Sequence, residues 1–167
     1  MRPVAEISAC FSCGARTPLV DGPTHRYMAS SPGCWALYGE VLEREYSDFG
    51  YGALHRLTVD AYAVQHPGEP SRQSVRSVCM HLAALTAVFR HGMAPGDATG
   101  LLQRLAERED YEWLEPPASL GRLDVTYVHA ATGPDDHLAR VEAWARAAWL
   151  AWKDHHATVE AWLDGSI

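Results

Sequence analysis

Cys10, Cys13, His25 and Cys34 bring three thiols and one imidazole together in a single N-terminal stretch. That donor set can hold one soft or borderline cation. The run Cys10-Phe11-Ser12-Cys13-Gly14 places two thiolates three positions apart, close enough to grip the same ion. Gly14 permits the tight backbone that must follow them. His25 and Cys34 would supply the second pair and complete a closed Cys₃His set of the structural zinc type. A closed set does no chemistry of its own; its use is to fold the segment that carries it. A CxxC pair can also serve redox chemistry, but a thioredoxin-like motif sits between a strand and a helix, and no strong strand precedes this one. Disulfides require an oxidising compartment, and Met1 to Glu6 lacks an apolar signal core. The expectation is therefore zinc, in a cytoplasmic protein.

A second constellation lies on or beside apolar helix faces. Asp60 falls among Leu57, Ala61 and Val64, and His66 ends the same helical pattern. His81 is flanked by Val78, Leu82 and Leu85. His155 extends the stripe of Ala148 and Trp152, with His156 one position round. A buried carboxylate costs several kcal/mol unless it is paired or bound to metal. Facing helices could gather Asp60, His66, His81 and one of His155 and His156 around a second divalent metal with an open position. Plainer readings stand beside this one. A histidine on an apolar face is ordinarily a hydrogen-bonded core residue. His66-Pro67 can be a helix stop, and His155-His156 can complement the negative end of the last helix. His25 can be a loop residue beside a three-cysteine site closed by another group. Cys79 reads as a small core residue, and Trp144, Trp149, Trp152 and Trp162 as core or interface.

The elements that must position these residues are helical. Ser31-Pro32-Gly33 opens a helix carrying Trp35, Tyr38, Val41 and Leu42. The spacing predicts a second helix from Tyr51 to Gln65, stopped by His66-Pro67-Gly68, and a third from Ser71 to Arg90. Pro95 and Asp97 start a shorter helix through Arg108. Residues 111–134 are irregular, with Thr126 capping one short helix. A last helix runs from Asp135 or Asp136 to Leu163. Alternating strand patterns are nearly absent, so the fold class is all-α: an antiparallel helical bundle with a small N-terminal zinc-bound loop region. The expected division is a cap at residues 1–34 and a bundle at 35–167.

The chain has 167 residues, 47% of them hydrophobic, which suffices for a real core. A net charge of −7 with scattered basic residues argues against nucleic acid as a partner. No apolar stretch is long enough to predict a membrane span.

Cys10-Phe11-Ser12-Cys13-Gly14, Asp21 to Tyr27, Ser31 to Trp35, Asp60 to Pro67, and His81-Leu82 together resemble an uncharacterised bacterial family, a domain of unknown function. The likeness covers nearly the whole chain and implies no activity. A weaker resemblance is to the DinB-like helical bundles. It implies a divalent metal on three histidines and, for some members, transfer of low-molecular-weight thiols. The usual pair of histidines four apart on a late helix is replaced here by the adjacent His155-His156.

Two functions follow. One is a metal-dependent enzyme with a small-molecule substrate, a hydrolase or thiol transferase using the second site. The other is a non-catalytic zinc-stabilised interaction module, with the Trp-rich last helix as partner or homodimer face.

Overall fold

A computed structural model describes residues 5–167. Two short strands, β1 (Ile7–Ala9) and β2 (Arg16–Pro18), pair antiparallel, with Ile7 opposite Pro18 and Ala9 opposite Arg16. The turn between them is the CxxC segment. Cys10 donates its N–H to Ala15 at 2.8 Å, and Gly14 donates to Cys10 at 2.9 Å. Gly14 sits at φ +78°, a conformation that favours glycine. The expected loop is thus a small hairpin, whose three-residue strands are too short to leave an alternating pattern.

The rest is helical: α1 (Pro32–Ser47), α2 (Phe49–Gly52), α3 (His55–Gln65), α4 (Arg72–Phe89), α5 (Ala98–Leu105), α6 (Val125–His129), α7 (Pro134–Ala151) and α8 (His156–Leu163). Short 3-10 turns at Pro95–Asp97 and Lys153–His155 lead into α5 and α8. Caps set several starts. Ser31 accepts from the Cys34 N–H at the head of α1, and Ser71 accepts from the Ser74 N–H at the head of α4. The short α6 is capped by Asp124, which accepts from the Thr126 N–H, so Thr126 is the capped residue and not the cap.

Two helices expected to be continuous are broken. The segment from Tyr51 to Gln65 divides because Asp48 caps the one-turn α2, after which the chain restarts at His55. The last helix divides after Ala151. His156 Nε2 donates to the Trp149 carbonyl at 2.9 Å, and its ring stacks on Trp149 at 4.3 Å. The Trp149 carbonyl thus accepts both this side chain and the Trp152 N–H where the helix ends, and α8 turns back to pack on α4.

Helix α3 lies between α4 and α7 at the centre of the core. Trp144 and Trp152 are fully buried, and Trp149 and Trp162 nearly so. Each of the first three indoles finds an acceptor: Gln65 Oε1 for Trp144, the Val64 carbonyl for Trp152, and Thr86 Oγ1 for Trp149. Of the two readings of these tryptophans, core or interface, the structure places all four side chains in the core of the chain. Gln65 also donates to the carbonyls of Leu120 and Leu123, which ties the irregular 111–124 stretch to α3. Among the described residues, no helix is long and apolar enough to cross a membrane.

Burial holds His156 below the usual histidine range, so the folded state keeps it neutral. The unfolded chain binds a proton there below about pH 6.5, so this contribution to stability is present above that pH and falls as the solution is acidified. His156→Gln keeps an N–H donor without a titrating ring. Its melting temperature is expected to fall less than that of the parent between pH 7.5 and 5.5. Equal falls in the two proteins would show that His156 does not contribute.

Candidate metal centre

Three separate segments converge on one point. The hairpin turn brings Cys10 and Cys13, the first turn of α1 brings Cys34, and the end of α3 brings His66. Their ligand atoms all lie within 4.8 Å of one another. The Sγ atoms of Cys13 and Cys34 are 3.8 Å apart, and His66 Nε2 is 3.5 Å from Cys34 Sγ and 3.8 Å from Cys10 Sγ. All four cysteines of the chain are free thiols. Cys10, Cys34 and His66 are buried, and Cys13 is half-buried.

His66 reaches this place through a capping geometry. Pro67 bars residue 66 from continuing the helix, and His66 takes φ −130° and ψ 62° as the C-cap of α3. Its ring folds back along the last turn, where Nδ1–H donates to the Tyr62 carbonyl at 2.7 Å. That bond fixes the tautomer and turns the Nε2 lone pair toward the sulfurs. The Tyr62 ring stacks on His66 at 3.9 Å and on Tyr38 at 3.8 Å, which holds the imidazole plane.

Each sulfur also accepts a hydrogen bond from outside the cluster. The donors are the Ser31 N–H to Cys10 at 3.4 Å, the Ala15 N–H to Cys13 at 3.5 Å, and the Tyr62 hydroxyl to Cys34 at 3.5 Å. Three thiols this close do not ionise independently. Hydrogen bonds from Cys13 and then Cys34 hold Cys10 far below the ordinary thiol range. The contact with Cys10 pushes Cys13 well above that range and Cys34 up to about 12. A cation among them would favour ionisation of all three. The cluster can thus hold a metal ion.

The structure places His66, and not His25, beside the three cysteines. His25 Nδ1 accepts the N–H groups of Tyr27 at 3.3 Å and Met28 at 3.2 Å, so it closes a local turn. Its ring packs on Tyr27 and Trp35, and Trp35 in turn on Tyr38 and Tyr62. His25 is a neighbour of the aromatic stack and not a member of the cluster.

The four-residue second site does not assemble. His66 belongs with the cysteines. Asp60 and His81 do meet, with His81 Nδ1 at 2.7 Å from Asp60 Oδ1. Arg56 binds both Asp60 oxygens, at 2.5 and 3.1 Å, so the buried carboxylate is paired by a guanidinium without a metal ion. His155 Nε2 donates to the Glu115 carbonyl at 2.9 Å, and His156 is held by Trp149. Among the described residues, the Cys₃His cluster is the one grouping of three or more donors arranged to share an ion. The three-histidine site of the DinB-like bundles has no counterpart among the described residues.

Fold and site together define a mostly helical protein with a Cys₃His cluster at the foot of its first helix. The family model DUF5946, described as a family of unknown function, matches residues 8–153, and the chain belongs to that family. No curated protein and no solved structure matches it.

Proposed function

We propose that the cluster is a structural zinc site and that the protein is a zinc-stabilised helical module, with no metal chemistry at this centre. The spacing of the donors carries the reading. A tetrahedron with Zn–S of about 2.3 Å and Zn–N of about 2.05 Å has S···S edges of about 3.8 Å and S···N edges of about 3.6 Å. The corresponding separations here are 3.8 Å between Cys13 and Cys34, and 3.5 and 3.8 Å from the sulfurs to His66. Four protein donors fill a tetrahedron and leave no position for substrate or water.

The charge balance favours the same ion. Three thiolates and Zn²⁺ sum to one negative charge. The three outside donors on the sulfurs offset it, as does the positive end of α1, where Cys34 sits in the first turn. The ion would join the hairpin, α1 and the end of α3.

Elemental analysis of untagged protein purified without chelator tests this. The expected result is one zinc per chain, with chelation at neutral pH releasing it and loosening the hairpin in a hydrogen-exchange measurement. A metal-free preparation that keeps full hairpin protection, even after zinc is supplied, would overturn the proposal.

A further inference from the structure

A second polar network stands where α1, α3 and α7 meet, built around the buried carboxylate of Glu45. Thr58 Oγ1 and His137 Nε2 donate to Glu45 Oε1 at 2.5 and 2.9 Å. His55 Nδ1 faces Glu45 Oε2 at 2.7 Å. Burial pushes the Glu45 carboxyl upward, but these three donors outweigh it and hold it below the usual carboxylate range. The neutral tautomer that donates Nδ1–H to Glu45 leaves the His55 Nε2 lone pair bare. That nitrogen lies 3.1 Å from the hydroxyl of Tyr46, which therefore donates to it.

The order is hydroxyl, imidazole, buried carboxylate, which is the arrangement of an activated nucleophile with its base and orienting acid. Tyr46 is three-quarters exposed and Phe49 wholly so. Both line a cavity of about 530 Å³, together with His55, Gly52 and Ala53. A solvent-exposed phenylalanine beside a base backed by a buried carboxylate is not explained by packing.

We propose that Tyr46, His55 and Glu45 form a second functional centre, which accepts small uncharged acyl donors with an apolar or aromatic body. Phe49 and Ala53 offer apolar walls, while Asp48 on the rim disfavours anions. In the first step the Tyr46 oxygen attacks the acyl carbon and its proton passes to His55 Nε2. The bond from the acyl carbon to the leaving group breaks, and the leaving group departs with that proton. In the second step His55 takes a proton from water, which attacks the acyl-tyrosine, and the proton returns to the Tyr46 oxygen. Glu45 touches no substrate; it is a positioning residue for the His55 tautomer.

The probe is p-nitrophenyl acetate, applied to the full metal-replete chain. The expected result is an initial release of p-nitrophenolate with one acetyl group mapped to Tyr46 by peptide mass spectrometry. Tyr46→Phe and His55→Gln should each lower that release by at least about tenfold, with zinc content and circular dichroism unchanged. Glu45→Gln is read by long-range ¹H–¹⁵N spectra of His55, where the Nδ1–H preference should be lost. Acetyl groups on thiols or on Lys153 instead of Tyr46 would overturn the proposal. So would Tyr46 labelling that persists in His55→Gln, or an unchanged His55 tautomer in Glu45→Gln.

Discussion

His66→Ala is expected to empty the Cys₃His centre, while His25→Ala leaves one zinc per chain. The two histidines are alike in type, and His25 is much nearer to the cysteines in sequence. Their difference is geometric. His66 Nε2 lies within 3.8 Å of two sulfurs and is aimed at them by its Nδ1 bond to Tyr62. The Nδ1 of His25 is occupied by two backbone N–H groups. Structural zinc in small finger peptides contributes roughly 10–16 kcal/mol, because nothing else folds them. This chain has its own core of leucines and tryptophans, so the loss should be smaller and local, about 4 kcal/mol. A fall in melting temperature of about 10 °C follows for a chain of this size. His25→Ala exposes part of Trp35 and should cost about 1 kcal/mol with metal content intact. Zinc analysis of the two variants side by side decides the assignment. Retention in His66→Ala with loss in His25→Ala would reverse it.

The sequence was most legible where a feature is local. The Cys10–Cys13 turn follows from the spacing of two thiols and a glycine, and α1 and α4 follow from Ser31-Pro32 and Ser71 ahead of apolar stripes. The all-α class follows from the same periodicity. What was not legible is long-range. His66 is separated from Cys34 by 32 positions, and nothing in its neighbourhood says which partners the fold will bring. The useful signals were that Asp60 and His66 share one short helix, and that His66-Pro67 ends it. A histidine forced out of a helix by the next proline cannot easily face the same way as a carboxylate six positions earlier. Asp60 reads as a buried acid, but its partner Arg56 sits one helical turn before it, a common way to neutralise such a group. Glu45 is hidden in the sequence for a related reason. It lies in a polar run, Glu43-Arg44-Glu45-Tyr46, that reads as a solvated face, and only the arrival of α3 and α7 buries it.

Gly33→Ala should destabilise the protein by about 2 kcal/mol and weaken zinc binding, although both helix propensity and backbone angles favour the change. Gly33 lies in the first turn of α1 with no positive φ, and alanine in a helix is normally better than glycine by about 1 kcal/mol. Packing opposes this. A Cβ built there would stand 2.2 Å from the Pro18 carbonyl oxygen and 2.7 Å from Thr17 Oγ1. The first is backbone of β2, so relief requires the strand and the helix to part, at a cost of about 3 kcal/mol. The clash exceeds the propensity gain, which sets the sign. Its consequence reaches the metal because Cys34 is the next residue and β2 closes the hairpin that carries Cys10 and Cys13. Displacing one against the other would stretch the tetrahedron proposed there. Gly39, in the middle of the same helix, has nothing within 4 Å of a built Cβ, so Gly39→Ala should stabilise by up to about 1 kcal/mol. Urea unfolding with a chelator competition measures both effects. If the two substitutions shift stability in the same direction, the contact between β2 and α1 does not constrain the centre. If Gly33→Ala costs much less once His66→Ala has removed the metal, the two share one coupled unit, as neighbouring perturbations do.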